Sequence, residues 1–272
     1  MFQLVFIGQA TSEGTIKNMD DAGFHLEKGM PEKAAPEKYT KDDVLNILRR
    51  RIITMELAPG EPLDEVSLGQ TYGLSRTPLR EVLRHLSGEG YTQIRENKGA
   101  IVSPMDHKSM HHFFLAAPMI YSAISRLAAQ SATPDQVDDL YRIQKHFTEA
   151  TAERRVDDMV YFNDRFHHQI GEMADSPYLM PSLQRLLIDH ARIGQTFWSD
   201  DTPHTSSPEH QDQSKIDLAR AHHDQFIDIF AAHDEEAAVT LTLDHWALSR
   251  HYMELYIRPA PLDFDLNQGQ GH

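Results

Sequence analysis

The chain has 272 residues, of which 40% are hydrophobic and 25% are charged, and its formal net charge is −15. These proportions are typical of a globular protein with one or two domains. The sequence contains no cysteine and no long uncharged apolar run. This excludes disulfides, thiolate catalysis and a membrane-spanning helix, so we expect a cytoplasmic protein without membrane contact.

The negative charge is unevenly distributed along the chain. Residues 41–104 carry nine lysines and arginines against nine acidic residues, whereas residues 105–272 carry thirteen against twenty-six. A phosphate backbone attracts positive charge and repels negative charge. The balance therefore favours a small DNA-facing module attached to a larger acidic body.

The first half of the chain predicts a tail followed by a compact domain. Residues 1–38 show no sustained periodicity, and we expect a flexible N-terminal tail there. Residues 39–105 are predicted to form one domain. Its helices are expected from Lys41 to a turn at 57–60, at 64–72 with Gly73 at the end, and from Ser75 to Gly88. Its strands are expected at 91–95 and 100–104. Three helices followed by a hairpin predict a winged helix-turn-helix.

The third of these helices carries a cationic stripe. Arg76, Arg80 and Arg84 recur every four residues and share one helix face. Ser75 stands at the N-cap position, and Pro78 falls in the first turn, where its missing N–H costs little. Arginines and hydroxyls at a helix start suit a recognition helix that contacts bases and phosphates. An ordinary solvated amphipathic helix is the alternative.

Three motifs of this domain resemble the DNA-binding domain of GntR-type regulators. They are Pro59-Gly60-Glu61-Pro62-Leu63, the run from Gly73 to Leu83, and Leu86-Ser87-Gly88-Glu89-Gly90. Arg76 is the candidate for reading guanine, because a guanidinium pairs with two acceptors on that base. The resemblance implies that the operator is contacted by Arg49, Ser75, Arg76, Thr77, Arg80 and the wing residues Asn97, Lys98 and Gly99. For Arg50, Arg51 and Arg84 a solvated position is an equal alternative.

The remainder of the chain is predicted to be wholly helical. Residues 106–258 form the second domain, and residues 259–272 form a C-terminal tail. Helices are expected near 107–131, 135–152, 156–174, 178–198, 214–232 and 235–256, with a polar loop at 199–212. The fold class is therefore mainly α, with a winged domain followed by a bundle of six to seven helices. This arrangement resembles the FadR-like branch of the family, whose helical domain senses a small molecule.

Histidine spacing predicts that two histidines of the helical domain lie close together. His223 precedes Asp234 by eleven residues, and His245 follows it by eleven. Two antiparallel helices joined at Asp234 would bring these histidines to the same level. Asn163 and His167 are four residues apart on one helix face.

The same residues resemble the metal site of FCD effector domains. The resemblance implies that Asn163, His167, His223 and His245 are the ligands. Three imidazoles and one oxygen suit zinc or nickel. Buried structural histidines are the alternative.

Two residues depart from the family pattern. The first ligand is usually an aspartate, and Asn163 brings no negative charge. The site is therefore expected to consist of the three histidines alone, to bind metal more weakly than usual, or to be filled only with an effector carboxylate as a further ligand. An arginine and a glutamate expected on the first helix of the domain are replaced by Ala117 and Tyr121. Arg192 is the remaining candidate to bind an acidic effector, and a surface position is the alternative for it.

The sequence thus predicts a transcription regulator and not an enzyme. We expect a homodimer that binds an inverted-repeat operator on double-stranded DNA, because one recognition helix reads only a few base pairs. Its effector is expected to be a small molecule, with an organic acid preferred, and its place is the bacterial cytoplasm, on the nucleoid. A metal-dependent enzyme built on the three histidines and an architectural DNA-binding protein without an effector are the alternatives.

Overall fold

The computed structural model describes residues 39–96, 99–199 and 213–257. The predicted tails at 1–38 and 259–272, most of the predicted loop at 199–212, and the wing residues Asn97 and Lys98 lie outside this part. The described elements are α1 (Lys41–Ile53), β1 (Pro62–Leu63), α2 (Glu65–Tyr72), α3 (Arg76–Glu89), β2 (Thr92–Arg95), β3 (Gly99–Val102), α4 (His107–Ser131), α5 (Pro134–Ala152), α6 (Val156–Met173), α7 (Met180–Trp198), α8 (Gln213–Ala231) and α9 (Glu235–Ile257).

The first three helices and the three strands form the predicted winged helix-turn-helix. The strands make an antiparallel sheet in the order β1-β3-β2. Strand β1 was missed in the sequence, because two residues are too few to show alternation. Pro62 and Leu63 are extended because they pair with Ile101 and Ala100 of β3.

Local signals define the helix ends of this domain. Thr40 and Asp43 form a capping box at the start of α1, and the Asp64 carboxylate accepts backbone N–H bonds at the start of α2. Gly73 ends α2 with φ 65°, in the left-handed region that glycine adopts without strain. Ser75 is the N-cap residue of α3 as predicted, but its side chain makes no capping hydrogen bond.

Six described helices follow the wing, and their ends lie within two residues of the predicted positions. Helix α4 packs on α9 and α6, while α5 packs on α6 and α8. One apolar core joins them, with Phe147, Phe166 and Phe230 completely buried. None of the helices in the described part is long and apolar enough to cross a membrane.

The two domains meet along a seam between α1 and helices α6 and α7. Ile53, Val160 and Ala191 form a small apolar cluster there. The Arg50 guanidinium pairs with the Asp158 carboxylate and lies 4.8 Å from the centre of the Tyr161 ring. Arg50 thus contacts the helical domain, although its side chain remains 36% exposed.

Arg192 also lies at the seam. Its side chain is completely buried, and its Nη1 donates a hydrogen bond of 2.6 Å to the Ser103 carbonyl oxygen at the end of the wing. The surface position considered for Arg192 is therefore wrong. Sequence periodicity could not reveal this, because the wing that covers α7 is distant in the chain.

Candidate metal centre and DNA-binding helix

Three histidines converge in the helical domain. His167 on α6, His223 on α8 and His245 on α9 each offer a ring nitrogen, and these nitrogens all lie within 4.8 Å of one another. The ring centroids are 5.4 Å apart for His167 and His223, and 5.1 Å apart for His223 and His245. We call these three residues the histidine triad.

The hairpin of α8 and α9 brings two of them together, as the equal offsets from Asp234 predict. His233 takes a positive φ of 55° at the turn, and the Asp234 carboxylate accepts a hydrogen bond from the Ala237 N–H. The two helices then run back along each other. His223 and His245 consequently face one another from opposite arms.

Gln144 on α5 fixes the tautomer of His223. The Gln144 amide nitrogen donates to the Arg220 carbonyl oxygen and to the Asp224 carboxylate, at 3.0 and 2.9 Å. Its amide oxygen lies 3.0 Å from His223 Nδ1. Because that oxygen can only accept, Nδ1 carries the proton, and the Nε2 lone pair is free for a ligand bond.

The triad nitrogens have the properties that a cation needs. The Nε2 atoms of His167 and His223 and Nδ1 of His245 are buried and have no hydrogen-bond partner. Burial lowers the pKa of His223 to about 3, and it holds the pKa values of His167 and His245 well below the usual range. All three imidazoles are therefore neutral near pH 7. Three buried ring nitrogens without a hydrogen-bond partner at one place fit a divalent metal ion.

Asn163 lies one turn before His167 on α6, and its side chain is buried. It lines a cavity together with His190 and His245. The fourth predicted ligand is thus beside the triad.

Neighbouring histidines separate as the helix period requires. His168 turns away from the triad toward Glu172, and 3.3 Å separates its Nδ1 from a carboxylate oxygen. The His222 ring is buried next to His245, with ring centroids 5.5 Å apart. Of the two adjacent pairs, His167/His168 and His222/His223, each contributes one histidine to the triad.

Sequence analysis missed His190 on α7, which is a further buried histidine at this place. Its ring centroid lies 5.4 Å from that of His167, and its Nδ1 lies 3.2 Å from the Tyr121 hydroxyl. Burial lowers the pKa of His190 to about 4. No spacing connects His190 with the other histidines, so only the packing of α7 on α6 could reveal it.

Helix α3 presents the predicted DNA-binding residues. Its core face is formed by Leu79, Val82, Leu83 and Leu86, which are buried. Ser75, Arg76, Thr77 and Arg80 are exposed on the other side. Two of the arginines predicted to contact DNA form ion pairs within the protein. Arg80 Nε lies 2.8 Å from a Glu65 oxygen, and Arg49 Nε lies 2.9 Å from a Glu89 oxygen.

The wing is described only in part. Gly99 begins β3 with φ 72°, and its neighbours Asn97 and Lys98 lie outside the described residues. Arg192, predicted as an effector contact, does not line either cavity that adjoins the triad in the described part of the chain.

Two family models match the chain. The model for bacterial regulatory proteins of the gntR family matches residues 40–102, and the FCD domain model matches residues 119–248. The first match covers α1 to β3, and the second covers most of the helices that carry the triad.

Known proteins are similar to both parts. The HTH-type transcriptional repressor RspR of Escherichia coli K12 is 28% identical over 68% of this chain and 80% of its own length. The Nta operon transcriptional regulator of Aminobacter aminovorans is 25% identical over 49% of this chain and 63% of its own length.

Solved structures confirm the fold. E. coli McbR/YncC matches with a TM-score of 0.64 at 16% identity, over 79% of this chain and 96% of that one. A putative transcriptional regulator GntR from Rhodococcus sp. RHA1 matches with a TM-score of 0.57 at 17% identity, over 81% and 99%. A winged domain followed by a helical domain is thus the architecture that they share.

Proposed function

We propose that this chain, which belongs to the GntR family of bacterial regulatory proteins and carries an FCD domain, regulates transcription through a metal centre that makes operator binding responsive to a small organic acid. Its winged domain is the DNA-binding part, and its helical domain is the effector-binding part. The family consists of transcription regulators and not of enzymes, so we place the protein on DNA in the bacterial cytoplasm.

The histidine triad is the observation that carries this proposal. His167, His223 and His245 would hold the metal, and Asn163 is available as a neutral oxygen ligand beside them. When bound, zinc or nickel supplies positive charge and an open coordination position for the acid. Gln144 keeps His223 in the tautomer whose lone pair is directed away from the Gln144 oxygen.

The DNA-binding residues act from α3 and the wing. Arg76 would read guanine, while Thr77 and Arg80 would bind the backbone beside it. Arg49 would add a phosphate contact at the edge, together with Ser75 and the wing residues Asn97, Lys98 and Gly99. We propose a homodimer on an inverted repeat, because two recognition helices are needed for a specific site.

Effector binding would act by favouring one arrangement of the two domains. A ligand shifts such an equilibrium only by the difference between its affinities for the two arrangements. The seam formed by α1, α6 and α7 is the place where the arrangement would change.

Two substitutions with matched controls test the proposal. His167→Ala should abolish zinc uptake and the effector response while DNA binding persists, and His168→Ala, which turns the other way on α6, should change neither. Arg76→Ala should abolish sequence-specific binding but not zinc uptake, whereas Arg84→Ala should have a smaller effect. Elemental analysis and gel-shift assays with competitor DNA measure these outcomes.

Three results would count against the proposal. DNA binding that ignores sequence would favour an architectural protein. Less than one zinc ion per chain after zinc loading would contradict the proposed metal centre. A thermal-shift screen in which no organic acid raises the melting temperature of the protein would contradict an organic-acid effector.

A further inference from the structure

Arg80 on α3 forms an ion pair with Glu65 on α2, the helix that precedes it. Arg80 Nε lies 2.8 Å from Glu65 Oε2, and the arginine side chain is 57% exposed while the glutamate side chain is 27% exposed. Glu65 is the first residue of α2, and a negative charge is favoured in the first turn of a helix. The pair therefore lies at the surface and connects the two helices of the helix-turn-helix.

The turn between α2 and α3 fixes the backbone on which this pair stands. The Leu74 N–H donates a hydrogen bond of 3.1 Å to the Gly69 carbonyl oxygen. A Cβ added at Gly69 would lie 2.9 Å from the Leu74 carbonyl oxygen, so a larger residue would push the two helices apart. Leu79, the neighbour of Arg80 in the chain, is completely buried. The core of the winged domain thus holds both charged residues in place.

The ion pair leaves most of the Arg80 guanidinium available for another partner. A guanidinium has five N–H donors, and Nε carries only one of them. The Nη atoms of Arg80 form no hydrogen bond with residues 39–96, 99–199 and 213–257. They can therefore donate to two oxygens of one phosphate while Nε stays on Glu65. Arg76, one turn earlier on α3, has no ion-pair partner among the same residues.

We propose that Glu65 is a specificity-determining residue for DNA binding, which acts by positioning Arg80 and by offsetting its charge. This rests on the proposed function, in which Arg80 binds the DNA backbone beside the base that Arg76 reads. At the operator, the Arg76 contact brings a phosphate to the Arg80 Nη atoms, and Arg80 stays on Glu65. At other sequences a phosphate approaches a pair without net charge, so the attraction is small.

The gain in specificity follows from the difference between the two kinds of complex. Non-specific binding is electrostatic and grows with the number of positive charges that meet phosphates. Specific binding adds contacts of fixed geometry, which gain from a side chain that is already oriented. A carboxylate on Arg80 therefore weakens non-specific binding more than operator binding. Glu65 raises the ratio between the two affinities.

Glu65→Gln tests this inference, and Glu81→Gln is the matched control. Both substitutions remove one negative charge from the winged domain, but Glu81 is 50% exposed and pairs with Lys41, which is not a predicted DNA contact. The two probes are a duplex that the unaltered protein selects from randomised DNA and a scrambled duplex of the same composition. Fluorescence anisotropy should show that Glu65→Gln lowers the affinity ratio of the two duplexes about two- to fivefold, as expected for an exposed ion pair. Glu81→Gln should leave the ratio unchanged.

Two further measurements separate this role from a structural one. With the scrambled duplex, the slope of log affinity against log salt should be steeper by about 0.9 in Glu65→Gln, because one more positive charge meets a phosphate. In an Arg80→Ala background, Glu65→Gln should no longer change the affinity ratio, because Glu65 acts through Arg80. A structural role would instead lower the melting temperature and weaken binding of both duplexes equally.

An unchanged ratio in Glu65→Gln would overturn the inference, and so would an equal fall in Glu81→Gln or in the Arg80→Ala background. In each of these cases the selected duplex would still uphold sequence-specific binding and with it the proposed function. If selection enriched no sequence, the proposed function would fail, and the inference with it.

Discussion

Arg192 Nη1 donates a hydrogen bond of 2.6 Å to the Ser103 carbonyl oxygen, and it thereby joins the helical domain to the end of the wing. The Ser103 hydroxyl donates in turn to the Gly90 carbonyl oxygen, at 2.7 Å. His190 lies two residues before Arg192 on the same helix and lines a cavity beside the histidine triad. Helix α7 is thus in contact with that cavity on one side and with the winged domain on the other.

Removing the guanidinium should uncouple the two domains. Arg192→Met deletes the donor to Ser103 and leaves the buried Asp189 carboxylate with Arg185 as its remaining partner. We expect a loss of about 3 kcal/mol in the free energy of unfolding, because a buried charge loses its partner. Zinc uptake should persist, and the effector should change operator affinity less than in the unaltered protein.

Urea denaturation and gel-shift titrations with and without effector measure these effects. Arg142→Met is the control, since the Arg142 side chain is 43% exposed and its ion pair with Asp139 lies within one helix turn. Surface pairs of this kind contribute about 0.5 kcal/mol. An undiminished effector response in Arg192→Met would show that α7 does not couple the domains through this bond.

Gln144 should influence metal affinity without being a ligand. Gln144→Leu removes the acceptor at His223 Nδ1, so the ring loses its fixed tautomer and orientation. We expect zinc affinity to fall by about 10- to 100-fold, as measured by competition with a chromogenic chelator. Gln130→Leu should leave it unchanged, because Gln130 is exposed and bonds to Glu235. Equal zinc affinities for the two variants would contradict this role.

Asn163→Asp should strengthen metal binding. The substitution places a carboxylate beside the triad at nearly constant side-chain volume, and a negative ligand attracts a dication more strongly than an amide does. We expect zinc affinity to rise by at least about tenfold, and zinc loss to a chelator to slow accordingly. Asn46→Asp on the exposed face of α1 is the control. Unchanged affinity in Asn163→Asp would show that this position does not coordinate.

Buried neutral histidines should make the metal-free protein sensitive to acid. In the folded protein the pKa of His223 is about 3 and that of His190 about 4, because burial disfavours the charged ring. The unfolded chain takes up these protons near pH 6.5. Stability is therefore fully present above pH 6.5 and falls as the pH drops toward 4, by about 1.4 kcal/mol per pH unit for each histidine.

Urea denaturation of metal-free protein between pH 7.5 and 5 measures this slope. His190→Gln removes one titrating ring and should make the pH dependence shallower below pH 6.5. His111→Gln should not, because His111 is exposed on α4. A slope that is the same in both variants would mean that His190 takes up no proton on unfolding.

Much of this protein could be predicted from short-range patterns. Helix periodicity and capping residues are local, so the six helices of the second domain were placed within two residues of their observed ends. The pairing of His223 with His245 also follows from local geometry, because a helical hairpin brings equal offsets from its turn to the same level. The arginine stripe of α3 is exposed for the same reason, since the buried leucines opposite it define the core face.

The contacts that connect these parts were decided by tertiary packing. Gln144, His190 and Tyr121 reach the triad from three different helices, and no sequence interval relates them to its histidines. Strand β1 exists only because β3 pairs with it. Arg50 and Arg192, for which the sequence allowed a surface position, both make contacts between the two domains. Sequence by itself determined the helices and the faces they expose, because those depend on neighbours within a few turns. Which faces meet depends on long-range burial, so only the structure revealed the complete surroundings of the histidine triad and the contact between α7 and the wing.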